Sequence, residues 1–203
     1  MPDQVDLKTM GRADLESFVE TLGEPAYRGR QLYNWIYAHG ETDFAAMTSL
    51  SKTLRSRLSD VARVSSIDVK RMQQSDDGTS KALFALPSGR EAETVLIPSF
   101  DALGNAQRLT VCVSSQVGCA MGCSFCATGL MGFQENLSPG AIYDQVWTMN
   151  EEAQRRYERP VSNVVFMGMG EPLLNYDAVL QSVALLTDDD TLNLSPRRIT
   201  IST

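Results

Sequence analysis

Long apolar runs are missing from this chain of 203 residues, and so is a leader in which basic residues precede an apolar stretch. A bilayer-spanning helix needs about 20 apolar residues, so the sequence predicts a soluble, cytoplasmic protein with no membrane partner. Cysteine is scarce, with four in all. In a reducing compartment that number excludes a disulfide framework and points to metal binding or catalysis. Histidine is scarcer still: His39 stands alone and is read as a helix-end or surface residue. A zinc site would want two well-separated ligand pairs, or Cys112 or His39 as a fourth ligand, and the chain offers neither pattern clearly. Positive charge is in deficit as well, at a net −7, which is adverse to a polyanion-binding surface spread over the whole molecule. No internal repeat or low-complexity tract occurs. What remains is ordinary globular material: 43% hydrophobic and 21% charged residues suffice for a proper core in one domain, or one domain with a small appendage. The nine methionines are read as core filling.

The charge deficit is uneven. Between Arg28 and Arg71 the basic residues Arg28, Arg30, Lys52, Arg55, Arg57, Arg63, Lys70 and Arg71 face only Glu41, Asp43, Asp60 and Asp68. A local cationic excess of this kind is either a solvated helix face or a phosphate footprint.

Three of the cysteines lie in one run, Cys119-Ala-Met-Gly-Cys123-Ser-Phe-Cys126. Three thiolates on a short loop each hold one iron of a cubane [4Fe–4S] cluster and leave the fourth iron open to a small molecule. An electron-transfer cluster would normally close that position with a fourth cysteine. Reading Cys123-Ser-Phe-Cys126 alone as a redox dithiol ignores Cys119.

The periodicity of the chain changes near residue 65. Before it, Leu15-Phe18-Val19-Leu22, Leu32-Trp35-Ile36 and Leu54-Leu58-Val61 recur at helical spacing, the last behind Ser51 as an N-cap. They predict a small helical domain, 1–64. Strand-like stretches at 67–72, 81–86 and 91–97 follow, split by Asp76-Asp77-Gly78 and Pro87-Ser88-Gly89. These predict an antiparallel ribbon, 65–104, leading into the next domain. From 105 to 203 the order is strand (109–114), helix (from Ser138-Pro139, with Ile142, Val146, Met149 and Ala153 buried), strand (161–167), helix (177–186), strand (198–202). This is the βαβαβ pattern of a parallel α/β fold. Along the first of these strands Thr110, Cys112 and Ser114 share one face, and Leu109, Val111 and Val113 the other. Gly168-Met-Gly170-Glu171-Pro172 ends the second strand; without a third glycine it is no dinucleotide fingerprint.

Taken together, Cys112-Val-Ser-Ser-Gln-Val-Gly-Cys119-Ala-Met-Gly-Cys123-Ser-Phe-Cys126-Ala-Thr-Gly and Phe166-Met-Gly-Met-Gly-Glu171-Pro-Leu-Leu-Asn175 resemble the RlmN/Cfr family of radical S-adenosylmethionine (SAM) RNA adenine methyltransferases. The resemblance is closer to the housekeeping, C2-methylating branch than to the resistance-conferring, C8-methylating one. It implies an α/β fold in which the first half of a (β/α)6 radical SAM barrel follows the helical RNA-binding domain and the β-ribbon. It implies a [4Fe–4S] cluster on Cys119, Cys123 and Cys126, with SAM on the open iron and against Gly170, Glu171 and Ser202. Glu93 matches the family's proton acceptor. Cys112, pointing into the barrel lumen, matches the thiol that removes the adenine C2 proton and resolves a protein–RNA crosslink through a disulfide with a methyl-carrying cysteine. The implied substrates are 23S rRNA and tRNA, the electron donor an external protein such as flavodoxin, and the state monomeric. The chain stops within the third barrel strand, and no cysteine follows Cys126, so the carrier cysteine and the later βα units are not among these residues. A truncated, non-catalytic iron–sulfur RNA-binding fragment and a C8 methyltransferase are the competing readings.

Overall fold

The computed structural model of the protein describes residues 4–203; the first three residues of the expected 1–64 domain lie outside the described residues. The N-terminal part holds β1 (Val5–Asp6), α1 (Arg12–Thr21), α2 (Tyr27–Tyr33), α3 (Lys52–Val61) and β2 (Ala62–Arg63), with β1 and β2 paired in parallel. Capping follows the sequence: the Ser51 hydroxyl accepts from the Leu54 N–H at 3.2 Å, satisfying one orphan donor of α3. Leu15 and Val19 of α1, Leu32 of α2, and Leu54 and Leu58 of α3 are buried. Val61, expected on the same stripe, is exposed, because the chain leaves helical geometry at Ala62. The α1–α2 crossing is close enough that a Cβ on Gly29 would lie 2.4 Å from the Glu16 Cα. Residues 34–38 widen into a π-helical turn, a local i→i+5 pattern that hydrophobic spacing does not signal.

Then come β3 (Asp68–Gln74), β4 (Ser80–Ala85), β5 (Glu91–Phe100), β6 (Ala106–Cys112), a two-stranded neck of β7 (Gln116–Val117) and β8 (Glu135–Asn136) flanking α4 (Ala127–Leu130), then α5 (Pro139–Tyr157), β9 (Asn163–Phe166), α6 (Tyr176–Thr187) and β10 (Ile199–Ile201). One six-stranded sheet runs β10-β9-β6-β5-β4-β3. Its β10-β9-β6 part is parallel, as the βαβαβ pattern predicts, and its β6-β5-β4-β3 part is antiparallel. The ribbon expected to lead into the barrel is therefore part of the barrel's own sheet: β5 pairs along β6 from Val95↔Cys112 to Phe100↔Ala106.

The two faces of the sheet differ. Ala82, Phe84, Ala92, Thr94, Leu96, Leu109, Val111, Val164 and Phe166 are buried on the face against α5 and α6. The other face carries Leu83, Glu93, Val95, Thr110, Cys112 and Val165, half-buried or exposed, because strand side chains alternate. Ser138 caps α5 by accepting from the Ala141 N–H at 3.1 Å, and Pro139 occupies its first turn. Ile142, Val146, Met149 and Ala153 are all buried. A single apolar core runs from Leu7 and Leu15 through Tyr37 and Tyr143 to Val164 and Leu186.

Candidate active site

The segment after β6 leaves the sheet, forms the β7–β8 neck and opens into the cysteine loop. The neck is closed by the Cys119 N–H to the Gly132 carbonyl (3.2 Å) and the Gln134 N–H to the Val117 carbonyl (3.0 Å). Gly118 makes this possible: its φ is +70°, and a Cβ there would sit 1.8 Å from the Gly132 oxygen. Cys119 is buried at the neck, Cys123 exposed and Cys126 half-buried. Cys126 occupies the N-cap position of α4, and its thiol is held below the ordinary range chiefly by the Gly129 backbone, with Thr128 adding to it. All four cysteines are free thiols, so the disulfide that the resemblance attaches to Cys112 has no counterpart here. Among the described residues no three Cys, His, Asp or Glu side chains converge at metal-ligating spacing; the loop presents the three thiols without gathering them. As a donor set they fit an iron–sulfur cluster: three soft ligands, one already biased toward thiolate, on a loop from 118 to 134 that contains no charged residue.

The turn after β9 is bonded to the same segment. The Gly168 N–H donates to the Val113 carbonyl (3.0 Å), the Ser115 N–H to the Met169 carbonyl (2.9 Å), the Met169 N–H to the Ser114 hydroxyl (2.9 Å) and the Glu171 N–H to Gln116 Oε1 (2.8 Å). Gly170 has φ +100°, and a Cβ on it would approach the Gln116 Cβ to 2.5 Å. Glu171 caps the short helical turn Pro172–Asn175 by accepting from the Leu173 N–H at 3.0 Å. Gln116 in turn donates to Asn136 (2.8 Å). Asn175 donates to the Ser115 and Leu137 carbonyls, both at 2.8 Å. These amides escape sequence reasoning, although polar residues at 114–116 directly behind an apolar strand were a visible anomaly.

Glu93 lies on the uncovered face of β5 and lines a cleft of about 290 Å³ with Leu83, Glu91, Ala127, Thr128, Met131 and Met169. The cleft thus brings Glu93 together with the residues directly after Cys126 and with the glycine turn. Lys81 reaches Glu93 Oε1 at 3.0 Å; with both side chains close to half exposed, that pair is worth under about 1 kcal/mol. Cys112 is on the same face, beside Val95 and Val165 in the ladder, and burial raises its thiol pKa, partly offset by the Met167 backbone. Ser202 follows β10 at the edge of the sheet and is exposed. Neither it nor Cys112, Gly170 or Glu171 lines the cleft.

A half-open sheet with a three-cysteine loop after its first parallel strand and a glycine turn after its second defines a radical SAM protein, and residues 113–203 match the model of the Radical SAM superfamily. Residues 5–64 match the "Ribosomal RNA large subunit methyltransferase N-terminal domain". The chain belongs to the RlmN family of that superfamily. It is 65% identical over 201 residues to a probable dual-specificity RNA methyltransferase RlmN from Salinibacter ruber, covering 99% of this chain and 54% of that protein. It is 46% identical over 202 residues to the dual-specificity RNA methyltransferase RlmN of Nitratidesulfovibrio vulgaris, covering 98% and 55%. The crystal structure of a radical SAM methyltransferase from Sphaerobacter thermophilus superposes with a TM-score of 0.83 at 43% identity, over 98% of this chain and 57% of that one. The chain thus spans about half the length of the relatives it matches. Among the described residues no helix is long and apolar enough to cross a membrane.

Proposed function

We propose that these residues form the cluster-, SAM- and RNA-docking half of a methyltransferase that modifies C2 of adenine in 23S rRNA and in tRNA. The observation that supports this most strongly is the bonding of the Gly168–Glu171 turn to residues 113–116, which lead directly into the cysteine loop. Cys119, Cys123 and Cys126 would hold a [4Fe–4S] cluster, and Gly170, Glu171 and Ser202 the SAM. When bound and reduced by an external donor such as flavodoxin, the cluster supplies the electron that cleaves SAM, a radical route needed because adenine C2 is not nucleophilic. The backbone at Gly170 and the carboxylate of Glu171 offer a fixed anion to the SAM ammonium. Glu93 is assigned as proton acceptor at the cleft and Cys112, as its thiolate, as the group that takes the C2 proton. The methyl-carrying cysteine of the implied mechanism lies outside residues 1–203, and the protein is assigned as a monomer.

Anaerobic reconstitution with iron and sulfide tests the core of this reading. About four irons per chain are expected, lost in the Cys119→Ala/Cys123→Ala/Cys126→Ala variant. Undiminished iron in that variant overturns the ligand assignment. Adding SAM and dithionite separates the competing fragment reading: release of 5′-deoxyadenosine supports a catalytic half-barrel, and its absence from a fully loaded chain supports an iron–sulfur RNA-binding fragment.

A further inference from the structure

Two consecutive side chains of α5 bond to two different parts of the molecule. Asp144 faces the N-terminal domain: Lys8 Nζ lies 2.8 Å from its Oδ1, with the lysine side chain 3% exposed. That ammonium is also 3.4 Å from the Ile36 carbonyl and 5.3 and 5.8 Å from the ring centres of Tyr37 and Tyr143. The Tyr143 hydroxyl donates to the Tyr37 carbonyl at 2.7 Å, and the Tyr37 hydroxyl lies 3.0 Å from the Lys8 carbonyl. A Cβ on Gly140 would be 2.3 Å from that same carbonyl, so the backbone at Lys8 rests directly on the first turn of α5.

Gln145 faces the sheet. Its Oε1 accepts from the Thr94 hydroxyl (2.6 Å) and the Ser114 N–H (2.9 Å), and its Nε2 donates to the Ser114 carbonyl (3.1 Å). Ser114 passes the constraint on: its hydroxyl donates to the Glu93 carbonyl (2.6 Å) and accepts from the Met169 N–H (2.9 Å). Glu93 and Met169 both line the cleft. Gln145 and Ser114 are fully buried, where every hydrogen bond left unmade is costly and a satisfied network has one geometry.

We infer that Lys8, Asp144 and Gln145 form a positioning unit through which the seating of the N-terminal domain on α5 fixes the cleft walls at Glu93 and Met169. The functional weight of this unit rests on the reading that RNA docks on the N-terminal domain and reacts at the cleft; the positioning itself does not. Lys8→Met keeps the side-chain length and leaves Asp144 without its cation.

Hydrogen exchange at the Ser114 and Met169 amides of the 203-residue chain tests it, with Leu58→Ala as a control that loosens α3 away from α5. The variants are compared at urea concentrations giving equal global stability. Lys8→Met is expected to speed exchange at both amides at least tenfold, while Leu58→Ala speeds it only within 5–64. Unchanged exchange at Ser114 and Met169 in Lys8→Met overturns the inference. Should that variant not fold, Asp144→Asn, which keeps the shape and removes the charge, is expected to shift the same two amides about threefold, and no shift there also overturns it. Binding of a labelled RNA hairpin to the wild-type chain is measured on the same samples: failure to bind removes the RNA reading and leaves the exchange result standing.

Discussion

Cys112 and Cys126 carry the same thiol in opposite surroundings. Cys126 receives N–H groups from the start of α4, which favour the thiolate, whereas Cys112 is pressed between Val95 and Val165 in the ladder, and desolvation disfavours its charge. Burial therefore favours the protonated thiol, and the proton-accepting role assigned to Cys112 belongs to its thiolate. The sign is testable. In the Cys119→Ser/Cys123→Ser/Cys126→Ser background, the rate of Cys112 alkylation by iodoacetamide should rise with pH through a midpoint above the ~8.5 of a free cysteine. A midpoint at or below that value would remove the burial argument. Gly170 offers a second test at this scale. Alanine there is strained by the left-handed backbone and by the 2.5 Å approach to Gln116, a combined cost of roughly 1–3 kcal/mol. If the turn receives SAM, Gly170→Ala should weaken SAM binding in calorimetry more than tenfold while the chain stays folded by circular dichroism.

At the scale of elements, α3 carries three of the four cations between Arg28 and Arg71 that lack an acidic partner. Arg28 pairs with Glu24 (4.0 Å), Arg30 with Glu16 (3.4 Å) and Arg63 with Asp6 (3.6 Å), and Lys70 pairs with Glu91. Among the described residues Lys52, Arg55 and Arg57 of α3 and Arg71 of β3 have no such pair. The unpaired part of the cationic excess visible in the sequence is thereby narrowed to α3 and Arg71, something composition could not do because pairing is a tertiary fact. RNA affinity should fall steeply with salt, and Lys52→Gln/Arg55→Gln/Arg57→Gln should flatten the log–log slope by about one for each phosphate that the variant no longer neutralises. Arg28→Gln/Arg30→Gln, whose partners are already supplied, should change it far less. Equal slopes for the two variants would return α3 to a solvated face. The elements themselves were legible where local chemistry decides them: Ser51 and Ser138-Pro139 mark helix starts that the structure keeps. The β7–β8 neck was not, since two-residue strands leave no periodicity, and β6 ends at Cys112 rather than Ser114 because Ser114 turns to the Gln145 amide. The candidate site was legible in its thiols and glycines, whose chemistry is carried by residue type. Gln116, Gln145 and Asn175 were not, because a glutamine or asparagine reveals its role only through partners distant in sequence.

For the whole molecule, the change of periodicity near residue 65 suggested separate bodies, whereas the buried side chains form one continuous core that crosses that boundary at Tyr37 and Tyr143, whose rings meet edge to face at 5.2 Å. Such pairs add about 0.5–1.5 kcal/mol beyond their burial, and the adjacent Lys8–Asp144 pair, 2.8 Å apart, crosses the same boundary. Separate unfolding of the N-terminal domain would forfeit both, so the chain should unfold as one unit. The two tryptophans allow this to be read independently: Trp35 sits in the N-terminal part, tilted against His39, and Trp147 on α5, stacked on Tyr143. In urea, Trp147→Phe leaves Trp35 as the reporter and Trp35→Phe leaves Trp147. Once each curve is placed relative to the helical signal of the same variant, fluorescence and circular dichroism midpoints should coincide for both reporters. A Trp35 transition preceding the helical one would show that the N-terminal domain detaches first, and Lys8→Met should then widen the gap.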